Sequence, residues 1–170
     1  MSRFLLVFVV LLAVSFGIEL TPVAQAWFVT PWTDTVARVS GSLMRLFDAS
    51  ITTSGKVIGS RTGAFSVSIE AGCNGVEATL VLVAAILAFP APWAHRVRGI
   101  VVGVLAIQAL NILRVVSLFY LGQWSYDAFE WAHLYVWQAL IMLDVLVVWV
   151  VWVRFVPAER VAAAPPLAHA

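Results

Sequence analysis

The chain has 170 residues, of which 62% are hydrophobic and 11% are charged, and its formal net charge is +1. Soluble domains are about 45–50% apolar and about 25% charged, so the composition excludes an ordinary soluble domain and indicates an integral membrane protein with one compact domain. The charge gives no reason to expect a nucleic-acid partner, and a single cysteine excludes an internal disulfide.

The first predicted element is an apolar run over about residues 4–20. Together with Arg3 and the triplet "AQA" at residues 24–26, it fits a secretory signal peptide with a cleavage site. The alternative is an uncleaved transmembrane anchor, which we favour because the run is long for a signal peptide. We assign residues 1–26 to this anchor or signal-like segment, and both alternatives place the following residues outside the cytoplasm.

Residues 27–72 are more polar and are predicted to form an extracytoplasmic insertion with a small helix and a β-hairpin. A helical spacing of apolar residues predicts an amphipathic helix at the membrane surface, with an apolar face of Val36, Val39, Leu43, Leu46 and Phe47. Further on, Phe65, Val67 and Ile69 alternate with polar residues, which predicts two short strands around the "SRTG" turn. This hairpin would deliver the chain to Cys73.

Three further apolar runs cover about residues 76–89, 97–121 and 132–156, and a membrane span needs about 17–25 residues. With the N-terminal segment they predict an all-α integral membrane protein with a bundle of about four transmembrane helices. We take residues 73–156 as a three-helix membrane core, and we expect residues 157–170 to be a disordered cytoplasmic tail. Arginines lie in the loop after the second run and after the fourth, whereas the short loop between the third and fourth has none, so these arginines are expected to be cytoplasmic.

The only cysteine, Cys73, lies in the stretch "IEAGCNGVEATL", where a helix is expected to begin near Asn74 or Gly75. The positive end of that helix would lower the pKa of the thiol. The backbone N–H groups of Asn74, Gly75 and Val76 would be free to stabilise an oxyanion. The alternative is that a small apolar side chain simply fills space here, which is the commoner role of a lone cysteine.

The third apolar run contains the polar stretch "NILR", from Asn111 to Arg114, and Gln108 lies one turn before it. An arginine at the centre of a membrane costs about 2.5–3.5 kcal/mol on insertion scales, so its presence calls for a reason. These three residues share one helix face, which predicts a polar stripe toward the interior of the bundle. The alternative is an Arg114 side chain that snorkels to the membrane surface.

His133 opens the fourth run, where a histidine among aromatic residues is often part of the interfacial belt. The chain direction, however, places Cys73, Arg114 and His133 toward the same face of the membrane and His95 at the opposite one. We therefore expect Cys73 as nucleophile, His133 as base and then acid, and Arg114 as the charge that stabilises a thiolate or oxyanion. No cofactor is expected, and one cysteine and one histidine on this side are too few for a structural zinc site.

These motifs together resemble the exosortase/archaeosortase family. The similarity covers roughly residues 69–152, with "AGCNGVEA" before one span, Asn111 and Arg114 as "NxxR" in the next, and His133 at the start of the last. Short members such as the exosortase H type look closest. Many members have additional N-terminal spans, and Ser-Gly often follows the thiol where this chain has Asn74 and Gly75.

The resemblance implies a membrane-embedded cysteine transpeptidase or protease of the bacterial cytoplasmic membrane, multi-pass, with its active site on the extracytoplasmic side. It implies a catalytic set of Cys73, Arg114 and His133, which Asn74, Gly75, Glu77 and Asn111 would support. The partners would be the lipid bilayer and exported proteins with a C-terminal sorting tail, which consists of a short motif, a transmembrane helix and a basic cluster. The alternatives are a non-enzymatic transport or assembly subunit and a lipid-dependent acyltransferase.

Two acidic residues in the apolar runs remain to be explained, Glu77 and Asp144. We expect them to position helices, and the alternative for either one is a pair with Arg114 or Gln108. For Asp144 we favour a packing hydrogen bond or a protonated acid.

Overall fold

The computed structural model describes residues 2–63 and 65–156, and the tail at residues 157–170 lies outside the described residues. The helices are α1 (Ser2–Glu19), α2 (Pro22–Met44), α3 (Val76–Ala88), α4 (Trp93–Trp124) and α5 (Tyr126–Arg154). A sheet between α2 and α3 is formed by β1 (Ile51–Ser54), β2 (Val57–Ser60) and β3 (Ser66–Ser68). Both α2 and α5 contain one π-helical segment, Gln25–Val29 and Ala132–Val136 respectively.

The helices α4 and α5 are each long and apolar enough to cross a membrane. The pair α1 and α2 is bent by 69° and counts as a third candidate span if it is taken as one broken helix. With 13 residues, α3 is only about 20 Å long, whereas the hydrocarbon core of a bilayer is about 30 Å thick. The chain is therefore a mostly helical membrane protein with two or three candidate spans, where the sequence predicted about four.

The short length of α3 has a local cause at each end. Gly75 precedes it in the left-handed conformation, with a φ of 75°, so regular helix begins only at Val76. At the other end, Phe89 is extended because it precedes Pro90, and a residue before proline is disfavoured in helical conformation. The predicted helix start near Asn74 or Gly75 was therefore one or two residues early.

The helix α2 leaves most of its predicted apolar face exposed and buries a neighbouring stripe of residues against the rest of the protein. Its buried residues form a stripe of mostly small side chains, Thr33, Val36, Ala37, Ser40, Gly41 and Met44. Of the predicted face only Val36 is buried, whereas Val39, Leu43, Leu46 and Phe47 are exposed. The reason is the close approach of β1, because a β-carbon at Gly41 would collide with the methyl group of Thr53. Small residues therefore face the sheet, and the large apolar residues face outward.

The sheet is antiparallel with the order β1-β2-β3. The two predicted strands correspond to β2 and β3, which pair with Ile58 opposite Val67, and β1 was not predicted. Only Ile51 of β1 is buried, so the strand lacks the alternation on which the prediction relied. Buried residues of α2, the sheet and the second half of α4 form one core: Val36, Ala37, Met44, Ile51, Ile58, Ile69, Val115 and Phe119.

A second core joins α3 to the first half of α4 and to α5. Its buried residues are Ala78, Leu82, Ile86, Ile107, Val145 and Trp152. The indole Nε1 of Trp152 donates a hydrogen bond to the carbonyl oxygen of His95 at 3.2 Å. The two cores hold opposite ends of α4, and the loop that carries Cys73 lies between them, since it connects the sheet to α3.

Candidate active site

Two left-handed glycines shape the loop that presents Cys73. Gly72 has a φ of 80° and Gly75 a φ of 75°, a backbone region that favours glycine. Between them, the backbone N–H of Cys73 donates to the carbonyl oxygen of Glu70 at 2.9 Å. A β-carbon at Gly75 would lie 2.7 Å from Nε2 of Gln108, so the Gln108 amide would have to move from its present position. The glycines thus allow a tight turn that packs directly against α4.

Asn74 attaches the loop to α2. Its side chain is buried, and its Nδ2 donates to Oγ1 of Thr33 at 3.0 Å while its Oδ1 accepts from the N–H of Val76 at 2.9 Å. Trp32 adds a hydrogen bond from its indole Nε1 to the carbonyl oxygen of Asn74 at 3.2 Å. The N–H of Val76 is therefore already occupied, so the prediction that it is free for an oxyanion is wrong. Within the described residues, the N–H groups of Asn74 and Gly75 donate no hydrogen bond.

Arg114 reaches the loop from α4. Only 2% of the residue is exposed, so the side chain does not snorkel to the surface. Its Nη1 donates to the carbonyl oxygen of Gly72 at 3.0 Å, and its Nη2 lies 3.5 Å from Sγ of Cys73. The predicted approach of Arg114 to Cys73 is confirmed by this contact. One guanidinium thus holds both the backbone before the thiol and the sulfur itself.

The thiol of Cys73 does not have the lowered pKa that its position suggested. Burial raises the pKa of Cys73, and the carboxylates of Glu77 and Glu70 raise it further. The guanidinium of Arg114 acts in the opposite direction and is the largest influence that lowers this pKa. The thiol is therefore protonated at neutral pH, and a nucleophilic role requires a base to remove its proton.

Glu77 holds the same peptide from the other side. Its Oε1 accepts a hydrogen bond from the N–H of Gly72 at 2.6 Å, while the carbonyl oxygen of Gly72 accepts from Arg114. Of the two roles considered for Glu77, the structure shows one that positions the chain, and within the described residues Glu77 has no bond to Arg114 or Gln108. Gln108 instead donates to the carbonyl oxygen of Gly75 at 3.2 Å and to Oγ1 of Thr79 at 3.3 Å.

Asp144, the other candidate partner, lies further along α5. Its Oδ2 is buried without a hydrogen-bond partner among the described residues. Together with Arg114 it lines an otherwise apolar cavity of about 310 Å³ between α4 and α5. Within the described residues Asp144 therefore shows neither the favoured packing hydrogen bond nor the alternative pair with Arg114 or Gln108, and it only shares a cavity wall with Arg114.

His133 lies in the π-helical segment of α5, a type of helix distortion that is frequent at functional sites. Its ring stacks on Phe129 with a centroid distance of 5.6 Å, and Phe129 in turn contacts Phe65 of the sheet region at 5.6 Å. Across residues 2–63 and 65–156, Nδ1 of His133 is buried without a hydrogen-bond partner, and no hydrogen bond joins His133 to Cys73. The structure therefore brings Cys73 and Arg114 into contact, and the participation of His133 stays a prediction.

Asn111 completes the polar face of α4. It is 1% exposed, and neither Nδ2 nor Oδ1 has a hydrogen-bond partner in the described part of the chain. Its neighbours on that face, Gln108 and Arg114, are both bonded to the Cys73 loop.

A groove of about 570 Å³ runs between α1, α3 and α5. Gly72, Gly75 and Glu77, which lie next to Cys73 in the chain, line one end of the groove, and Gln138 adds a polar side chain. The remaining walls are apolar: Phe4, Phe8, Phe16, Ala78, Val81, Ala85, Ile141, Met142, Val145, Leu146 and Trp149. Helix α1 therefore forms a wall of a groove that begins at the Cys73 loop.

Contacts with α2 and the sheet were missed by the sequence reasoning. Trp32 and Thr33 lie 42 and 41 residues before the loop residue that they hold, and Phe65 lies far from Phe129 in the chain. No local pattern marks such partners, because their hydrogen-bonding and packing roles arise only when distant elements meet.

Comparison with known proteins adds one finding. A family model described as transmembrane exosortase (Exosortase_EpsH) matches residues 2–151. No curated protein and no solved structure matches the chain significantly. The matched range includes α1, the Cys73 loop and the polar faces of α4 and α5. The chain therefore belongs to the transmembrane exosortase family.

Proposed function

We propose that this protein is a cysteine transpeptidase or protease that cleaves exported proteins at a C-terminal sorting tail. Membership of the exosortase family suggests a role in membrane-associated transpeptidation or sorting. The observation that carries the proposal is the 3.5 Å contact between Nη2 of Arg114 and Sγ of Cys73, the only thiol of the chain. The proposed location is the bacterial cytoplasmic membrane, crossed more than once, with Cys73 on the extracytoplasmic side.

The reaction begins with attack of Sγ of Cys73 on the carbonyl carbon of the scissile peptide, while His133 takes the thiol proton. The π electrons of the carbonyl move onto its oxygen, which gives a tetrahedral oxyanion. When that carbonyl re-forms, the C–N bond breaks and the leaving amine takes the proton from His133. A thioester remains on Cys73, and an amine or water then attacks it and releases the thiol.

The raised pKa of Cys73 decides how the attack is initiated. Because burial keeps the thiol protonated, a stable thiolate is not present before substrate binds. His133 acts as a general base during the attack, and its side chain needs to approach Cys73 more closely than in the free protein. Such tightening on substrate binding is common, since catalytic hydrogen bonds are often long in substrate-free structures. Arg114 then stabilises negative charge on sulfur.

The groove between α1, α3 and α5 supports a substrate with a transmembrane helix after its cleavage motif. An apolar helix would bury its side chains against the aromatic wall of α1 and against α5. Because the polar end of the groove is formed by Gly72, Gly75 and Glu77, the residue that precedes such a helix would lie beside Cys73. Helix α1 is then part of the substrate site, which favours its retention as an anchor over removal as a signal peptide.

The test is co-expression of this protein with a fusion protein that ends in a sorting tail of short motif, transmembrane helix and basic cluster. Cleavage is followed by immunoblotting, and the amount of each variant in the membrane is measured in parallel. We expect Cys73→Ala, Cys73→Ser and His133→Ala to abolish shortening of the fusion protein. His95→Ala is the matched control, because His95 lies at the other end of α4, and it should retain cleavage. If Cys73→Ala cleaves as well as wild type, Cys73 is not the nucleophile and the proposal fails.

A further inference from the structure

The amide of Asn111 is buried on the same face of α4 that carries Gln108 and Arg114. Gln108, Asn111 and Arg114 are spaced three residues apart on α4, so Asn111 lies between the other two on one helix face. Gln108 bonds the carbonyl oxygen of Gly75, and Arg114 bonds that of Gly72. Asn111 therefore lies on α4 between the two residues that anchor the loop, and the stretch of loop between those anchors contains Cys73.

Packing alone does not explain an asparagine at this position. Only 1% of Asn111 is exposed, and among residues 2–63 and 65–156 none bonds its Nδ2 or Oδ1. An unpaired polar group in apolar surroundings is unfavourable, and in a membrane protein there is no bulk water to compensate it. A leucine of similar size would suit the position better, so the amide calls for a role in binding.

The reaction requires hydrogen-bond donors for the oxygen of the tetrahedral intermediate, and the loop supplies fewer than its sequence suggested. The N–H of Val76 is bonded to Asn74, and Nη1 and Nη2 of Arg114 are directed to Gly72 and to the sulfur of Cys73. Among the described residues this leaves the backbone N–H groups of Asn74 and Gly75, Nε of Arg114 and the amide of Asn111 as donors near the loop. Asn111 offers two N–H donors that no described residue accepts, on the face of α4 that touches this loop.

We propose that the side-chain amide of Asn111 stabilises the oxyanion that forms on the scissile carbonyl. This inference rests on the function proposed above. As the Sγ–C bond forms, the carbonyl π electrons move onto oxygen, and Nδ2 of Asn111 donates a hydrogen bond to that oxygen. The electrons return when the C–N bond breaks, so Asn111 neither gains nor loses a proton. Donors aimed at a developing oxyanion are among the largest contributions to catalysis of acyl transfer.

The rate of substrate cleavage and the rate of Cys73 alkylation together distinguish a role of Asn111 in stabilising the oxyanion from a structural role. Cleavage of the sorting-tail fusion passes through an oxyanion, whereas alkylation of Cys73 by iodoacetamide does not. Because the chain has a single cysteine, alkylation reports on this site alone. Purified wild type, Asn111→Leu and Asn111→Ala are compared for both rates and for the midpoint of thermal unfolding. Gln108→Leu is the matched control, because it removes an amide from the same face that does have partners.

We expect Asn111→Leu and Asn111→Ala to lower the rate of cleavage by about 10²- to 10³-fold. The alkylation rate of Cys73 should be unchanged in both. The thermal midpoint of Asn111→Leu should be equal to that of wild type or higher, because the replaced amide has no hydrogen-bond partner among the described residues. Gln108→Leu should lower the midpoint, because the Gln108 amide does have partners.

Either of two results would overturn the inference. Undiminished cleavage by both Asn111 variants would show that the amide does not stabilise the intermediate. A parallel loss of cleavage and alkylation would show that Asn111 shapes the site around the thiol instead. Failure of the underlying function looks different, since cleavage by Cys73→Ala, measured in the same assay, would overturn both proposals at once.

Discussion

Replacement of Arg114 by lysine separates the charge of this side chain from its geometry. In the native site Nη1 donates to the carbonyl oxygen of Gly72 at 3.0 Å while Nη2 contacts Sγ of Cys73 at 3.5 Å. A guanidinium presents its donors in a rigid planar fork, whereas a lysine ammonium is a compact charge on a flexible stem. Arg114→Lys thus keeps the positive charge but cannot hold both partners in the same geometry.

The size of the effect follows from the contact to sulfur, which becomes stronger as the thiolate forms. A hydrogen bond to a charged group contributes about 1.5–3 kcal/mol. Because a tenfold change in rate corresponds to about 1.4 kcal/mol, we expect Arg114→Lys to slow cleavage by about ten- to a hundredfold. Arg114→Met also removes the charge and leaves the carbonyl of Gly72 without its partner, so it should slow cleavage more and destabilise the fold by about 1–3 kcal/mol.

The assay combines cleavage of the sorting-tail fusion with the pH dependence of Cys73 alkylation. Since the charge of Arg114 lowers the pKa of Cys73, its removal in Arg114→Met should move the alkylation profile to higher pH. Arg98→Lys, an exposed arginine at the opposite end of α4, is the control and should match wild type. If Arg114→Lys cleaves at the wild-type rate and Arg114→Met leaves the alkylation profile in place, both the positioning and the electrostatic argument are refuted.

Two further predictions concern the surroundings of the thiol. Glu77→Gln keeps an acceptor for the N–H of Gly72 but removes a negative charge that raises the pKa of Cys73. The pH profile of Cys73 alkylation should therefore shift to lower pH, and an unchanged profile would contradict this electrostatic effect. Met142→Trp should partly fill the groove and raise the KM for the tailed substrate, while the rate of Cys73 alkylation by the small reagent iodoacetamide stays the same. Leu105 is exposed on α4 outside the groove, so Leu105→Trp should leave the KM unchanged. Equal effects of the two tryptophans on KM would argue against the groove as the substrate site.

Much of the candidate site could be predicted because its signals are local. A lone thiol before an apolar helix and an arginine within another are conspicuous in a sequence with 11% charged residues. Chain direction alone then placed Cys73 and Arg114 toward the same end of neighbouring helices, and their 3.5 Å contact confirms that step. The same reasoning did not give the pKa of the thiol, because burial depends on what packs around the loop and outweighs the favourable charge of Arg114.

Hydropathy alone overestimated the number of membrane spans, because about four were predicted and the structure has two or three candidates. The run that contains α3 is apolar enough to be taken for a span, but Gly75 and the Phe89–Pro90 junction restrict regular helix to 13 residues. Gly75 and Pro90 are both visible in the sequence. They set the length of the helix, whereas hydropathy reports only how apolar the segment is. For α1 and α2 the deciding quantity is the 69° bend between them, which no composition reveals.

By itself, then, the sequence determined the membrane class, the helical segments, the resemblance to exosortases and the residues that make up the polar set. These follow from composition, periodicity and short motifs, which are properties of neighbouring residues. Only the tertiary structure decided that α2 buries its small-residue face, that Asn74 is held by Thr33, and that Gly72 is fixed between Glu77 and Arg114. The physical reason is that burial and hydrogen-bond partners depend on residues that lie far apart in the chain, as Gly72 and Arg114 do at 42 positions, and meet only in the folded protein.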